Sequence, residues 1–387
     1  MVRLGIERLL SDTATMVEDQ RLGLITNPSG TDSGLRTTID QLHDRQEFDL
    51  RRLFGPEHGI RGDAQAGVKV EDSTDDRTGL PVTSLYGEQQ RLQPGLIEDL
   101  DAIIYDMQDI GCRFYTLIYT LGYALQGVAQ AEKRMIVLDR PNPIAPLAAA
   151  GNRINEDSAS FVGAYELPII HGMTVGELAS YINQEFSIGA DVSVVEVSNW
   201  SRSDWFSDTG LPWVSPSPNM PTIKTAMLYP GTCFFEGTNL SEGRGTTRPF
   251  ELVGAPWISA DEWAEELTAQ NLDGVAFRPA YFSPTFSKHE QQNIEGVQVH
   301  TLDRNAIDPV KIGLTMLASV FGMYDQCDWI EYDDEFFVDK LAGGSYLREM
   351  IDGTDADESR AVAETIYDRW TDDLTEFSDV RSKYTRY

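Results

Sequence analysis

The chain has 387 residues, 41% of them apolar, which is enough length and core material for two domains or for one large domain with a smaller one attached. Its 62 Asp plus Glu against 31 Lys plus Arg give a net charge of −31; nucleic acid would be repelled by such a field, and the balance describes a solvated acidic surface of the halophilic kind. Cys112, Cys233 and Cys327 are too scattered for a disulfide framework or a zinc cluster, and neither the Met1–Glu7 start nor any later stretch is apolar for long enough to be a secretory signal or a membrane span, which points to the cytoplasm and to no membrane partner.

Residues 5–20 have the periodicity of an amphipathic opening helix, and Arg21–Thr26 reads as a buried strand closed by Asn27-Pro28. A helix over Thr38–His43 and a strand over Asp49–Phe54 continue a β-α-β rhythm. That strand runs into Gly55-Pro56-Glu57-His58-Gly59-Ile60-Arg61-Gly62, where the glycines cannot extend it, so Glu57, His58 and Arg61 are expected on a tight loop at its C-terminal end. A polar segment over 62–78 then reads as a loop that leaves the candidate site and covers it.

Leu100–Tyr105 is the next strand, ending in Asp106 and Asp109 before a helix from Leu117 to about Ala131. Met135–Leu138 is another, ending in Asp139 and Asn142. In a parallel, doubly wound sheet the C-terminal ends of these strands share one edge, so their polar groups are expected to converge there. Thr174, with Glu177 as its capping-box partner, starts a helix, and a strand follows at Val192–Val197. The rigid run Pro216–Thr222, with Asn219 inside it, suits a preset loop. The segment from Phe235 to Phe250 is dense in glycine, hydroxyls and charge, with Glu236, Asn239, Glu242 and Arg244. From about Pro256 the pattern becomes ordinary helix and strand (259–270, 275–279, 296–302, 309–324), and a domain boundary is placed after residue 255.

Glu57 and His58 are the first candidates for chemistry, because a loop that spends three glycines on backbone shape is positioning its polar residues. Glu242, with Glu236, is the second; the alternative is a turn closed by a Glu-Arg pair. Two carboxylates facing one cleft are what glycoside hydrolysis requires. Glu57, His58, Asp106 and Asp109 could instead hold a hard cation, but no H-E-x-x-H or clustered histidine spacing supports a metal, and His171, His289 and His300 read as structural. The first strand lacks G-x-G-x-x-G, which disfavours NAD, and no cofactor is expected. Arg61, Arg113 and Arg244, each beside a glycine or within a polar loop, could grip a substrate carboxylate.

Taken together the motifs resemble the exo-β-N-acetylmuramidases, a family of glycoside hydrolases long known as a domain of unknown function. The resemblance rests on Gly-Leu-Ile-Thr-Asn at 23–27, Phe-Gly-Pro-Glu-His-Gly-Ile-Arg-Gly at 54–62 and Asp-Ile-Gly-Cys-Arg-Phe-Tyr-Thr at 109–116. It continues with Leu-Asp-Arg-Pro-Asn-Pro at 138–143, His-Gly-Met-Thr-Val-Gly-Glu-Leu at 171–178, Pro-Ser-Pro-Asn-Met-Pro-Thr at 216–222 and Glu-Gly-Thr-Asn-Leu-Ser-Glu-Gly-Arg-Gly-Thr-Thr at 236–247. It implies an α/β fold with a Rossmann-like, doubly wound, mostly parallel sheet over 1–255, a smaller C-terminal α+β domain over 256–387 that closes a cleft, and release of N-acetylmuramic acid from the non-reducing end of peptidoglycan fragments. It also implies Glu57 as the catalytic acid. Glu242, then Glu236, is the expected second group, with His58, Asp106, Asp109, Asn219 and Asn239 as sugar contacts and Arg61, Arg113 or Arg244 on the lactyl carboxylate. The alternatives are a non-catalytic binding protein for acidic sugars and a cation-dependent hydrolase.

Overall fold

In a computed structural model of the chain, residues 1–57, 59–62, 72–86, 91–154, 159–371 and 374–387 are described. The first layer system holds α1 (Gly5–Asp12), β1 (Arg21–Thr26), α2 (Thr38–His43), β2 (Asp49–Gly55), β3 (Ser73–Thr74), β4 (Pro81–Ser84), β5 (Ala102–Asp106), α3 (Leu117–Gln130), β6 (Arg134–Leu138), α4 (Val175–Glu185) and β7 (Asp191–Val195). The strands form one sheet in the order β3-β4-β2-β1-β5-β6-β7, parallel throughout except for β3.

Alternation along each strand sorts the core. Leu24, Ile104 and Ile136 point to one face, where they pack with Ile6 and Leu9 of α1 and Ile39 and Leu42 of α2. Ile25, Tyr105 and Val137, one residue on, point to the other face, against Leu121 and Leu125 of α3 and Leu178 and Ile182 of α4. Helices therefore cover both faces, and the strand order reverses between β1 and β5, which makes this a doubly wound α/β sheet. Each fully buried aliphatic side chain contributes roughly 1.5–3 kcal/mol to holding it.

Two expectations change. The opening helix stops at Asp12 and becomes a single 3₁₀ turn at Ala14–Met16, because Thr13 leaves the helical region at φ −134°. The stretch read as loop over 62–78 contains β3, and directly after it comes a strand that was not expected: Val82, Thr83 and Ser84 of β4 are buried and pair in parallel with Leu53, Phe54 and Gly55. Four residues that begin at a proline, after a polar run, carry too short a pattern to be seen. Residues 63–71 of that stretch lie outside the described residues.

The second part begins with α5 (Ile223–Thr232), followed by β8 (Leu252–Ala255), α6 (Ala260–Ala269), β9 (Val275–Phe282), β10 (Ile294–Thr301) and α7 (Pro309–Met323). After β11 (Glu331–Tyr332) and β12 (Glu335–Phe336) come α8 (Phe337–Ala342), α9 (Tyr346–Ile351), α10 (Ser359–Thr371) and α11 (Leu374–Ser382). β8, β10 and β9 form an antiparallel sheet backed by α6. α5 packs along α7 so closely that a Cβ on Gly231 would meet the Pro309 carbonyl oxygen at 1.9 Å. Among the described residues no helix is long and apolar enough to cross a membrane.

Candidate active site

Glu57 stands where β2 gives way to a turn. Gly59 N donates to Pro56 O at 3.0 Å, and Gly59 and Gly62 have φ of +72° and +76°, a region open to glycine at little cost, so the chain turns sharply and leaves the Glu57 side chain partly exposed. Thr116, the residue before α3, donates its hydroxyl to Glu57 Oε2 at 3.0 Å instead of capping its own helix. His58 lies outside the described residues.

The other polar strand ends share that edge but turn into the fold, where they meet internal partners. Asp106 is fully buried and takes Arg140 Nε at 2.6 Å and Nη2 at 3.0 Å, with Thr38 on its second oxygen. Asn27 donates to Pro216 O at 2.9 Å. The crevice at the strand reversal, where α/β sheets commonly hold a nucleotide, is thus filled by an internal ion pair and the 216 loop. Asp109 Oδ2 accepts from Gly111 N at 2.7 Å and lies 3.4 Å from His171 Nε2 of a fully buried imidazole. Arg113 is also fully buried, its guanidinium donating to Asn152 O and Oδ1, Leu167 O and Leu341 O, and burial pulls its pKa down to about 10. Arg61 is taken by Asp75 through two hydrogen bonds of 2.9 and 3.0 Å. Asn239 ties Gln326 O and Asp328 N, a loop brace. None of these six, Asp106, Asp109, Arg113, Arg61, Asn239 and Asn27, lines the cleft that Glu57 enters.

That cleft has a volume of about 460 Å³ and lies between the two parts of the chain. Glu57, Thr116, Phe161 and Asn219 line it from the sheet side, and Tyr229, Glu236, Arg244, Phe250, Tyr332 and Phe337 from the other. Its size suits a small ligand of sugar dimensions, and its aromatic walls suit the faces of pyranose rings.

Burial separates the two candidates for the second carboxylate. Glu242 is 1% exposed and lies behind the cleft wall, 2.8 Å from Lys288 Nζ and 3.4 Å from Arg244 Nη1. Although burial works against its charge, Lys288 and Arg244 together hold its pKa below the usual carboxylate range. Glu236 lines the cleft and receives Arg244 Nη1 at 2.6 Å. Burial pushes its pKa up, opposed by Arg244 and reinforced by Glu242. Of the two, Glu236 faces the cleft and Glu242 anchors the arginine behind it. Arg244 also lies with its Cζ 5.0 Å from the Phe250 ring centre, and its buried Nε proton has no acceptor among the described residues.

Sequence reasoning missed Lys288, Phe161, Tyr332 and Phe337, none of which stands in a motif that announces it. Thr116 closes the Asp109–Thr116 run, and its place immediately before a helix was the available signal. Among the described residues there is no group of three or more His, Cys, Asp and Glu that could hold a metal ion.

A family model described as exo-beta-N-acetylmuramidase NamZ, N-terminal, matches residues 22–224, and its C-terminal companion matches residues 227–387. The peptidoglycan beta-N-acetylmuramidase NamZ of Bacillus subtilis (strain 168) is 44% identical over 390 residues, covering 100% of this chain and 91% of that protein. Two solved structures of DUF1343 family proteins from Bacteroides fragilis NCTC 9343 are similar in fold over 100% of this chain and 99% of each of theirs. One has a TM-score of 0.90 at 35% identity and the other a TM-score of 0.75 at 28% identity.

Proposed function

Because this chain belongs to the exo-β-N-acetylmuramidase NamZ family it is a glycoside hydrolase, and we propose that it releases N-acetylmuramic acid from the non-reducing end of peptidoglycan-derived fragments with Glu57 as general acid and Glu236 as the second carboxylate. The observation that carries the residue roles is that Glu57, held by Thr116, and Glu236, held by Arg244, enter one cleft from opposite sides.

In this reading Glu57 passes its proton to the glycosidic oxygen as the bond from that oxygen to the anomeric carbon breaks, so the departing sugar leaves as a neutral alcohol. On the opposite side of the ring Glu236 takes a proton from a water molecule as that water's oxygen bonds to the anomeric carbon, where positive charge develops. A raised pKa suits a group that must accept a proton near neutrality. Of the described lining residues, Arg244 is the cation, so it is assigned the lactyl carboxylate that separates muramic acid from glucosamine.

The test is release of chromophore from an aryl N-acetyl-β-muramide beside the matching N-acetyl-β-glucosaminide. Wild type is expected to turn over the first alone, and Glu57→Gln to lose at least about a hundredfold on substrates with poor leaving groups. Full turnover by Glu57→Gln would remove Glu57 from the mechanism.

A further inference from the structure

A second depression lies on the far side of the loop that carries Arg244. Its floor is the face of the β8-β10-β9 sheet turned away from α6: Tyr281 reaches Asp261 of α6 at 3.3 Å, so its neighbours Arg278, Ala280 and Phe282 occupy the opposite face. Leu252, Gln298 and Arg278 sit in register across the three strands. The walls are the 245–248 and 283–286 loops, joined where Thr285 N and Oγ1 each donate to Gly245 O at 2.9 Å. The groove measures about 670 Å³ and is open to solvent.

Two features point to what it holds. The first is continuity: Arg244, Phe250 and Ser287 line the cleft, while Gly245 to Arg248 and Phe286, in the same two loops, line the groove. The second is charge. In a chain with twice as many acids as bases, Arg248 and Arg278 line this groove, and the exposed Lys224 stands outside its lining but close enough to act on His300 of the same sheet face. Arg248 is 3.4 Å from Glu251, but Arg278 donates to the neutral Gln298 Oε1 at 2.8 Å, and among the described residues neither Arg278 nor Lys224 has a carboxylate within ion-pair distance. His300, two residues beyond Gln298 on the same face, has its pKa pushed down by burial and then by Arg278 and Lys224. Phe282 and the 38% exposed Phe286 offer apolar faces to sugar rings, and Thr246, Thr247 and Thr285 offer hydroxyls.

We propose that this groove is a distal binding site for the same substrate, taking the glycan chain beyond the terminal sugar and pairing Arg278 and Lys224 with the lactyl carboxylate of the next muramic residue. The inference rests on the glycosidase reading above. An exo-acting enzyme meets a chain in which carboxylates recur along an alternating backbone, and a basic strip beside the cleft mouth holds that chain while its end is cleaved.

The experiment measures Kd by calorimetry for a peptide-free tetrasaccharide of alternating N-acetylglucosamine and N-acetylmuramic acid, with muramic acid at the non-reducing end. The protein is the full chain carrying Glu57→Gln, with and without Arg278→Glu and Lys224→Glu. Both charge reversals are at exposed positions, and Arg248 is left alone because Glu251 is buried beside it. The expected result is a Kd weaker by about tenfold or more for the tetrasaccharide and changed by less than about twofold for the aryl muramide, with the difference shrinking as salt rises. An unchanged tetrasaccharide Kd, or an effect seen only when stem peptides are attached, would overturn the inference. Failure of the glycosidase reading is seen separately, as absence of aryl muramide turnover by wild type.

Discussion

The hydroxyl of Thr116 donates to Glu57 Oε2 at 3.0 Å, so the residue just before α3 is also the one that orients the proposed acid. A hydrogen bond to a charged group is worth about 1.5–3 kcal/mol, so Thr116→Val is expected to lower kcat/KM on natural-type substrates by roughly tenfold to a hundredfold, with Thr116→Ser restoring most of it. On an aryl glycoside with a very acidic phenol, where no protonation is needed, the same variant should lose little. Equal losses on both substrates would show that Thr116 merely supports the fold.

Glu236 and Glu242 are expected to separate by phenotype. Glu236→Gln removes a partner of one cation, Arg244, which keeps Glu242, so it should cost less stability than Glu242→Gln and lose kcat by about a hundredfold or more. Glu242→Gln leaves Lys288 and Arg244 short of a buried counter-charge and should cost about 3–5 kcal/mol of stability, read as a shift of the denaturation midpoint. The reverse pattern would restore Glu242 to the catalytic position.

Arg244 sets where the acidic limb of the pH profile falls. Burial already raises the Glu236 pKa and Arg244 opposes that rise. A base works only when deprotonated, so activity is lost as pH falls through its pKa. Removing the opposing cation in Arg244→Leu should move the acidic limb of kcat/KM to higher pH as well as weaken binding. A limb that stays in place while overall activity drops would mean that Glu236 is not the base.

Asp139 gives the fold a pH signature of its own. It is fully buried, and although hydrogen bonds from Tyr387 and Gly176 favour its charge, burial raises its pKa from 3.8 to about 6. The folded state then binds more protons than the unfolded state between those values, so this group's contribution falls as pH rises from 4 to 6, by about 3 kcal/mol over the window. Tyr387 donates to Asp139 Oδ2 at 2.6 Å and so favours the charged form. Tyr387→Phe should therefore destabilise more at pH 8 than at pH 4.5 in thermal melts. A pH-independent loss would show that the ring packing, and not the hydrogen bond, matters.

Asp106 provides a control for the expected sugar contacts. Asp106→Ala leaves the 5% exposed Arg140 guanidinium unpaired and should cost about 3–5 kcal/mol, with KM unchanged in whatever protein folds. A stable variant with raised KM would return Asp106 to the substrate.

The sequence carried the sheet, its helices and the Glu57 loop because each is written in local pattern: alternation over four to six residues, the Thr174 and Glu177 cap, and glycines that force a turn where a strand ends. It also placed Asn27, Asp106, Asp109 and Asp139 on one edge, and they do share it. What local pattern does not contain is which polar groups an edge turns inward. Arg140 reaches Asp106 from 34 residues away, and Leu341 takes Arg113 from 228 residues away. Partners at that distance convert a would-be substrate contact into an internal one without altering its own neighbourhood. The same holds for Lys288, which neutralises Glu242 from across the second part of the chain and so leaves Glu236 as the carboxylate in the cleft.

Arg113 has a consequence for motion. Its guanidinium grips Asn152 and Leu167 in the first part and the last turn of α8 in the second, and parting the two would leave a buried N–H of the cation without its acceptor. It acts as a bolt through the hinge line of what would otherwise be two lobes free to swing. Swinging the lobes apart would cost that buried cation its α8 carbonyl, so the cleft is expected to keep one width with and without sugar.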